Sequence, residues 1–209
     1  MATNALILSG GGARAAYQAG VLLALSEIIP CEPNPFPIIC GTSAGAINAL
    51  AMAAHPGTFG QAARDLSDTW RALEINNVYK TGWGDLTSSL FRVAGSFLHQ
   101  GVARGKAIGL LDNSPLRDFL SQVIPFDNIQ NRIDEGLLEA ICVTALGYSS
   151  GESVSFFQGN PALRGWRRAR RVGTPSLLTV DHLLASAAIP AVFPAVPLNK
   201  EYFGCLLYT

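Results

Sequence analysis

The sequence is poor in charge. Only 14% of its 209 residues are Asp, Glu, Lys or Arg, and 15 basic side chains cancel 15 acidic ones. A chain without a net field offers nothing to gather phosphates along a duplex or a strand, so no nucleic-acid partner is expected. With 49% hydrophobic residues it is not a disordered chain either. Histidine is rare, and Cys31, Cys40, Cys142 and Cys205 are scattered, with no CxxC pair and no histidine at zinc-like spacing. This excludes a disulfide scaffold. For Cys31, Cys40 and Cys142 it leads us to expect buried or incidental thiols in a reducing compartment, and no metal or cofactor is expected. No run approaches the roughly 18 apolar residues of a membrane span. The nearest, Leu183 to Val196, is broken by Pro190 and Pro194. Met1-Ala2-Thr3-Asn4 lacks the basic stretch of a signal peptide. The expectation is a cytoplasmic protein, with peripheral contact at a membrane surface as its extension.

What is present is glycine in two informative places. Ala5-Leu6-Ile7-Leu8 is a short apolar run that predicts a strand covered on both faces. Gly10-Gly11-Gly12-Ala13-Arg14 follows, then a predicted helix with Val21, Leu22, Leu25, Ile28 and Ile29 on one face. Pro30 and the stretch Pro33 to Pro37 lead into a second buried strand, Ile38-Ile39-Cys40. Gly41-Thr42-Ser43-Ala44-Gly45 comes next, with an Ala-rich helix through Ala54.

Downstream, residues 61–75 predict an amphipathic helix, and 80–109 read as a mobile insertion or cap. Ser114 is read as a helix N-cap with Pro115 at the first helical position. Ala140–Leu146 and Val154–Phe157 read as strands joined by a turn at Ser149–Glu152, and Val180–Ala188 as a last helix stopped by Pro190. There is no internal repeat. Strands alternating with helices indicate an α/β architecture in a single domain.

The chemistry follows from the two turns. In a G-x-S-x-G between a buried strand and a helix, the serine sits on a tight turn and the glycines relieve clashes with neighbouring elements. Its hydroxyl is then held at a helix N-terminus, where the dipole favours developing negative charge. Ser43 is thus the candidate nucleophile, with Gly41 and Gly45 shaping its elbow. Consecutive glycines can aim several backbone N–H groups at one point. Gly10, Gly11 and Gly12, with Arg14 at the rim, form a candidate oxyanion hole. A dinucleotide site is the competing reading, because Gly10, Gly12 and Ala15 satisfy G-x-G-x-x-G/A. That reading wants an acid at the end of the second strand, and Cys40-Gly41-Thr42-Ser43 supplies none.

Together these motifs resemble the patatin-like phospholipase family. Leu111-Asp112-Asn113-Ser114-Pro115-Leu116, the strand pair near 140–157 and Ala185-Ser186-Ala187-Ala188-Ile189-Pro190-Ala191-Val192-Phe193-Pro194 extend the resemblance over nearly the whole chain. It implies a three-layer α/β/α sandwich with a mainly parallel sheet, and a lipid acyl hydrolase that works through a Ser–Asp dyad without metal. The family's Asp belongs to an Asp-Gly pair that follows the Ala-Ser-x-Ala-Ile-Pro segment. Cys205-Leu206 stands there instead. The expectation is a single patatin-like domain that is incomplete or altered after about residue 204 and impaired in ester hydrolysis. The alternative is a catalytically dead homologue that binds lipid or a partner.

Other candidates carry less. A Ser43…Asp…His182 triad would follow the α/β-hydrolase order, but that fold places its serine after more strands than the two found here. His182 reads as a surface or helix-packing residue, His55 as a helix end, and His99 as part of the insertion. Arg164, Arg167, Arg168, Arg170 and Arg171 cluster around Trp166. They read either as a solvated loop or as a patch for anionic headgroups, with the tryptophan at headgroup depth.

Overall fold

The computed structural model describes residues 4–29, 34–73 and 111–206. Cys31, His99 and the expected insertion at 80–109 lie outside them. The described chain is an α/β fold built on one mixed sheet flanked by helices, as the α/β/α expectation requires. The strands are β1 (Ala5–Leu8), β2 (Ile38–Thr42), β3 (Ala140–Gly147), β4 (Ser153–Gly159), β5 (Trp166–Arg168), β6 (Arg171–Pro175), β7 (Val196–Leu198) and β8 (Glu201–Gly204). The helices are α1 (Ala15–Ile28), α2 (Ala44–Ala54), α3 (Phe59–Ala72), α4 (Ser114–Val123), α5 (Asn128–Asp134) and α6 (Val180–Ala187).

The sheet runs β1-β2-β3-β4-β6-β5, with β8 paired to β3 and to β7. The parallel pairs are β1–β2, β2–β3 and β4–β6, whereas β3–β4, β3–β8, β5–β6 and β7–β8 are antiparallel. Parallel pairing is thus concentrated where the two glycine motifs lie. One face of the sheet carries Ile39, Ile141, Val143 and Phe156, all buried. Helix α2 packs there because its residues are small: a Cβ on Gly41 would fall 2.5 Å from the Ala46 Cα and 2.7 Å from the Ala49 Cβ. Helix α6 joins it, setting the His182 ring edge-on to Phe156.

Three local expectations are corrected. β1 is not covered on both faces: among the described strands it lies at the sheet's edge, and Ile7 is 77% exposed. The buried face of α1 is Ala15, Ala19 and Leu22, while Val21, Ile28 and Ile29 are exposed. That helix is apolar on nearly every side, so periodicity does not single out a face. Ser114 is not the N-cap of α4. Asn113 occupies that position and Asp112 accepts from both the Ser114 backbone N–H (2.9 Å) and its hydroxyl (2.8 Å), which draws the serine into the helix.

One buried polar residue ties three helices together. Asn48 of α2 is fully buried, and its amide donates to the Ala15 carbonyl and the Gln18 Oε1, each at 3.0 Å, and accepts from the Trp70 indole N–H at 2.7 Å. Gln18 in turn donates to the Ser9 carbonyl at 2.7 Å, at the threshold of the glycine turn. Removing the amide would leave buried donors and acceptors unpaired, at about 1–3 kcal/mol for such a group. Asn48→Ala is therefore expected to lower unfolding free energy by about 3 kcal/mol, once cavity formation is added. Urea denaturation checks this; a change under about 0.5 kcal/mol, the range of a neutral surface substitution, would show the network to be dispensable.

Candidate functional site

Ser43 joins β2 to α2 at a backbone angle that few side chains adopt. Its φ is 54° and its ψ −130°. For a non-glycine residue such a conformation costs about 1–3 kcal/mol and persists only where its surroundings over-determine it. Here they do. Gly41 and Gly45 leave no room for a Cβ, since one on Gly45 would collide with the Leu8 and Ser9 carbonyls. The first turn of α2 therefore rests on the end of β1, directly before Gly10. The Ser43 carbonyl accepts from Ala46 N–H at 2.8 Å. Its own N–H donates to the Ser186 hydroxyl at 2.7 Å, and that hydroxyl donates to the Thr144 carbonyl at 2.6 Å. Ser43 is 5% exposed and Ser186 fully buried.

The glycine turn lies beside this elbow. Gly12 has φ 57°, and the stretch Gly12–Arg14 forms a single 3-10 turn that runs into α1. The N–H groups that open a helix have no intrahelical acceptor. Gly11, Gly12 and Arg14 are exposed and Gly10 half-buried, so the turn faces outward.

The place of Cys205 follows from strand register. Ile141 pairs with both Ile39 and Gln158, and Leu146 with both Ser153 and Gly204. β4 thus occupies one edge of β3, while β2 and then β8 share the other. Thr42 pairs with Thr144 in the parallel sense and Gly204 with Leu146 in the antiparallel sense. Continuing either register by one residue brings Ser43 and Cys205 from opposite directions to Ala145. The two chains converge there. Cys205 is fully buried and its N–H donates to the Ala188 carbonyl at 2.8 Å. β8 is also held from its start, because Glu201 accepts from the Ser149 and Ser150 N–H groups at 2.7 and 2.6 Å. The Tyr148 ring covers Gly204, and burial followed by the neighbouring Cys205 pushes its hydroxyl above the usual phenol range.

The end of α6 is therefore a clamp, gripping Ser43 through Ser186 and Cys205 through Ala188. Sequence reasoning quoted Ser186 only as part of a motif. Its role needed the pairing of elements far apart in the chain, as did that of Thr144.

His55 and His182 stay outside this arrangement. His182 caps its own helix, with Nδ1 accepting from Thr179 N–H at 3.2 Å, and burial lowers its pKa against the opposing pull of Asp181. His55 contacts Asp65 at 2.9 Å. Asp181 forms an ion pair with Arg117. Among the described residues no group of three or more His, Cys, Asp or Glu could hold a metal ion.

Arg167, Arg168, Arg170 and Arg171 lie in the exposed hairpin β5–β6, whose tip Arg170 has φ 55°, and Arg164 precedes it. Arg167 pairs with Glu152, and Trp166 stacks on Phe157 at 5.1 Å. Arg171 pairs with Ser153 and Ser153 with Leu146, so the hairpin tip projects from the same end of the sheet as Ser43. Four strand spacings separate β5 from β2, about 20 Å.

A strained serine between a parallel strand and a helix N-terminus, beside a glycine turn on the next strand, is the arrangement of α/β acyl hydrolases. A family model of patatin-like phospholipases matches residues 6–207, and the chain belongs to that family of lipid acyl hydrolases. Comparison with curated proteins gives no match. Among the described residues no helix is long and apolar enough to cross a membrane.

Ser186→Ala would leave the Ser43 N–H and one lone pair of the Thr144 carbonyl buried without a partner. The expected result is a loss of about 2 kcal/mol in stability, and a rate of Ser43 modification by a fluorophosphonate that falls at least tenfold. Retained labelling with lowered stability would show that the hydroxyl supports the fold and not the elbow.

Proposed function

We propose that the chain cleaves carboxylic esters of phospholipids or acylglycerols through an acyl-enzyme on Ser43. The observation that carries this reading is the strained Ser43 turn, seated at the N-terminus of α2 and against the end of β1. The Ser43 oxygen would attack the ester carbonyl carbon, and the backbone N–H groups of Gly10, Gly11 and Gly12, with Arg14 at the rim, would receive the developing oxyanion. The hydroxyl proton would pass toward position 205, then to the departing alkoxide. Water would release the acyl group by the same route in reverse order.

The side chain at position 205 limits this scheme. An isolated thiol is mostly protonated at neutral pH and accepts a proton poorly. Positioned general-base help is worth about 10²–10⁴-fold, so ester turnover by this chain should be slow. The second reading is a lipid-binding protein without turnover, which the same cysteine favours. A dinucleotide at the glycine turn is opposed by the absence of an acid at the end of β2, where Thr42 and Ser43 stand.

The test compares the chain with Cys205→Asp, Leu206→Gly and with Ser43→Ala on short-chain and phospholipid esters. The double variant is expected to raise turnover about 100-fold, and Ser43→Ala to abolish both turnover and fluorophosphonate labelling. Equal rates before and after the Cys205 change, still dependent on Ser43, would mean that another group is the base. Turnover in none of them, with lipid still bound, would favour the second reading.

The hairpin's position supports a membrane-facing role for Arg164, Arg167, Arg168, Arg170 and Arg171. Attraction between exposed arginines and anionic headgroups is screened by salt. Binding to phosphatidylserine-containing vesicles should weaken from about 0.05 to about 0.5 M salt, a change that shortens the Debye length roughly threefold, and fall when the five arginines become glutamine. Sedimentation with vesicles that ignores both changes would reduce the hairpin to a solvated turn.

A further inference from the structure

Strand register also joins two cysteines that stand far apart in sequence. Cys40 of β2 and Cys142 of β3 are direct partners in the parallel ladder, so their side chains leave the same face of the sheet side by side. This is the face opposite Ile39, Ile141 and Val143. Both thiols are free. Cys142 is 9% exposed and Cys40 half-buried. The row continues as Ile7 beside Cys40 and Phe157 beside Cys142, which gives the pair apolar walls on both sides. Toward the elbow, the Thr144 hydroxyl is 3.9 Å from the Cys142 sulfur and 3.2 Å from the Ser155 hydroxyl.

We propose that Cys40 and Cys142 form a two-thiolate site for a soft, two-coordinate cation of the monovalent copper class. Sulfur ligands select such ions over magnesium, calcium or manganese. Zinc asks for four ligands at a structural site or three at a catalytic one, and no cluster of that size exists among the described residues. Adjacent strands lie about 4.8 Å apart, a separation that admits an ion held between the two sulfurs, and also a disulfide, which reducing conditions exclude. The step needs no oxidant. Two S–H bonds break, two Cu–S bonds form, two protons leave to solvent, and one cuprous ion becomes a bis-thiolate of charge −1.

The experiment presents the whole chain, reduced and under anaerobic conditions, with Cu(I) held as its coloured bicinchoninate complex. The chain is expected to withdraw one equivalent and bleach the chelate, and the copper X-ray absorption edge should report two sulfur ligands. A second ligand on a rigid scaffold multiplies affinity through effective concentration, so Cys40→Ser and Cys142→Ser should each weaken uptake about 100-fold or more. Cys31→Ser and Cys205→Ser should leave uptake intact. Circular dichroism of each variant separates loss of ligand from loss of fold. If Cys142→Ser fails to fold, Cys40→Ser at the less buried position decides the matter alone. No withdrawal by the unmodified chain, or equal withdrawal by Cys40→Ser, would overturn the site. So would uptake that disappears only with Cys205→Ser.

Discussion

The contact between the first turn of α2 and the end of β1 is the constraint on which the rest of this structure depends. Gly45 faces two carbonyl oxygens, those of Leu8 and Ser9, at a distance that admits only hydrogen. Because that helix turn cannot retreat, the chain leaving β2 must reverse within one residue, and Ser43 accepts a positive φ to do so. The strain is local, but its restraint is not. Asn48 fastens α2 to α1 and α3. Ser186 then draws α6 onto the same point from beyond β3. Elements that begin far from the elbow in sequence thus all bear on one backbone angle.

The parallel ladder β1–β2–β3 gives this arrangement its economy. Parallel neighbours end at the same edge, so a turn after β1 and a turn after β2 necessarily meet there. The antiparallel strand β8 then enters along the edge of β3 that β2 has vacated. Sheet order alone brings three separate segments, near residues 10, 43 and 205, to one place.

How much of this was legible depended on the range of each signal. The glycine turns and the strand–elbow–helix pattern are local, and they lie where the sequence suggests. The core face of α1 was not legible, because a helix with Ala, Val, Leu and Ile on nearly every side carries no periodic contrast; the choice was made by packing on α2 and α3. Ser114 was misjudged since the competing acceptor, Asp112, offers its hydroxyl and N–H a partner within the helix start. Asn48, Ser186 and the Cys40–Cys142 pair gave no readable sign. Each owes its meaning to a partner set by register or by helix packing, and a single sequence does not disclose register. For Cys205 the sequence shows only that it stands where an Asp is expected; its full burial and the bond from its N–H to Ala188 depend on the packing of β8 and α6.

That last bond has a consequence for how chemistry can vary on this fold. The position is anchored by its main chain, through a donor that every residue except proline possesses. Nothing in the anchor consults the side chain. Substitution at 205 therefore leaves this main-chain bond available, whatever side chain the residue carries. The scaffold keeps a socket and leaves its occupant free to drift. If position 205 supplies the base proposed for Ser43, loss and recovery of reactivity would be separated by the identity of a side chain and not by a refolding of the backbone that holds it.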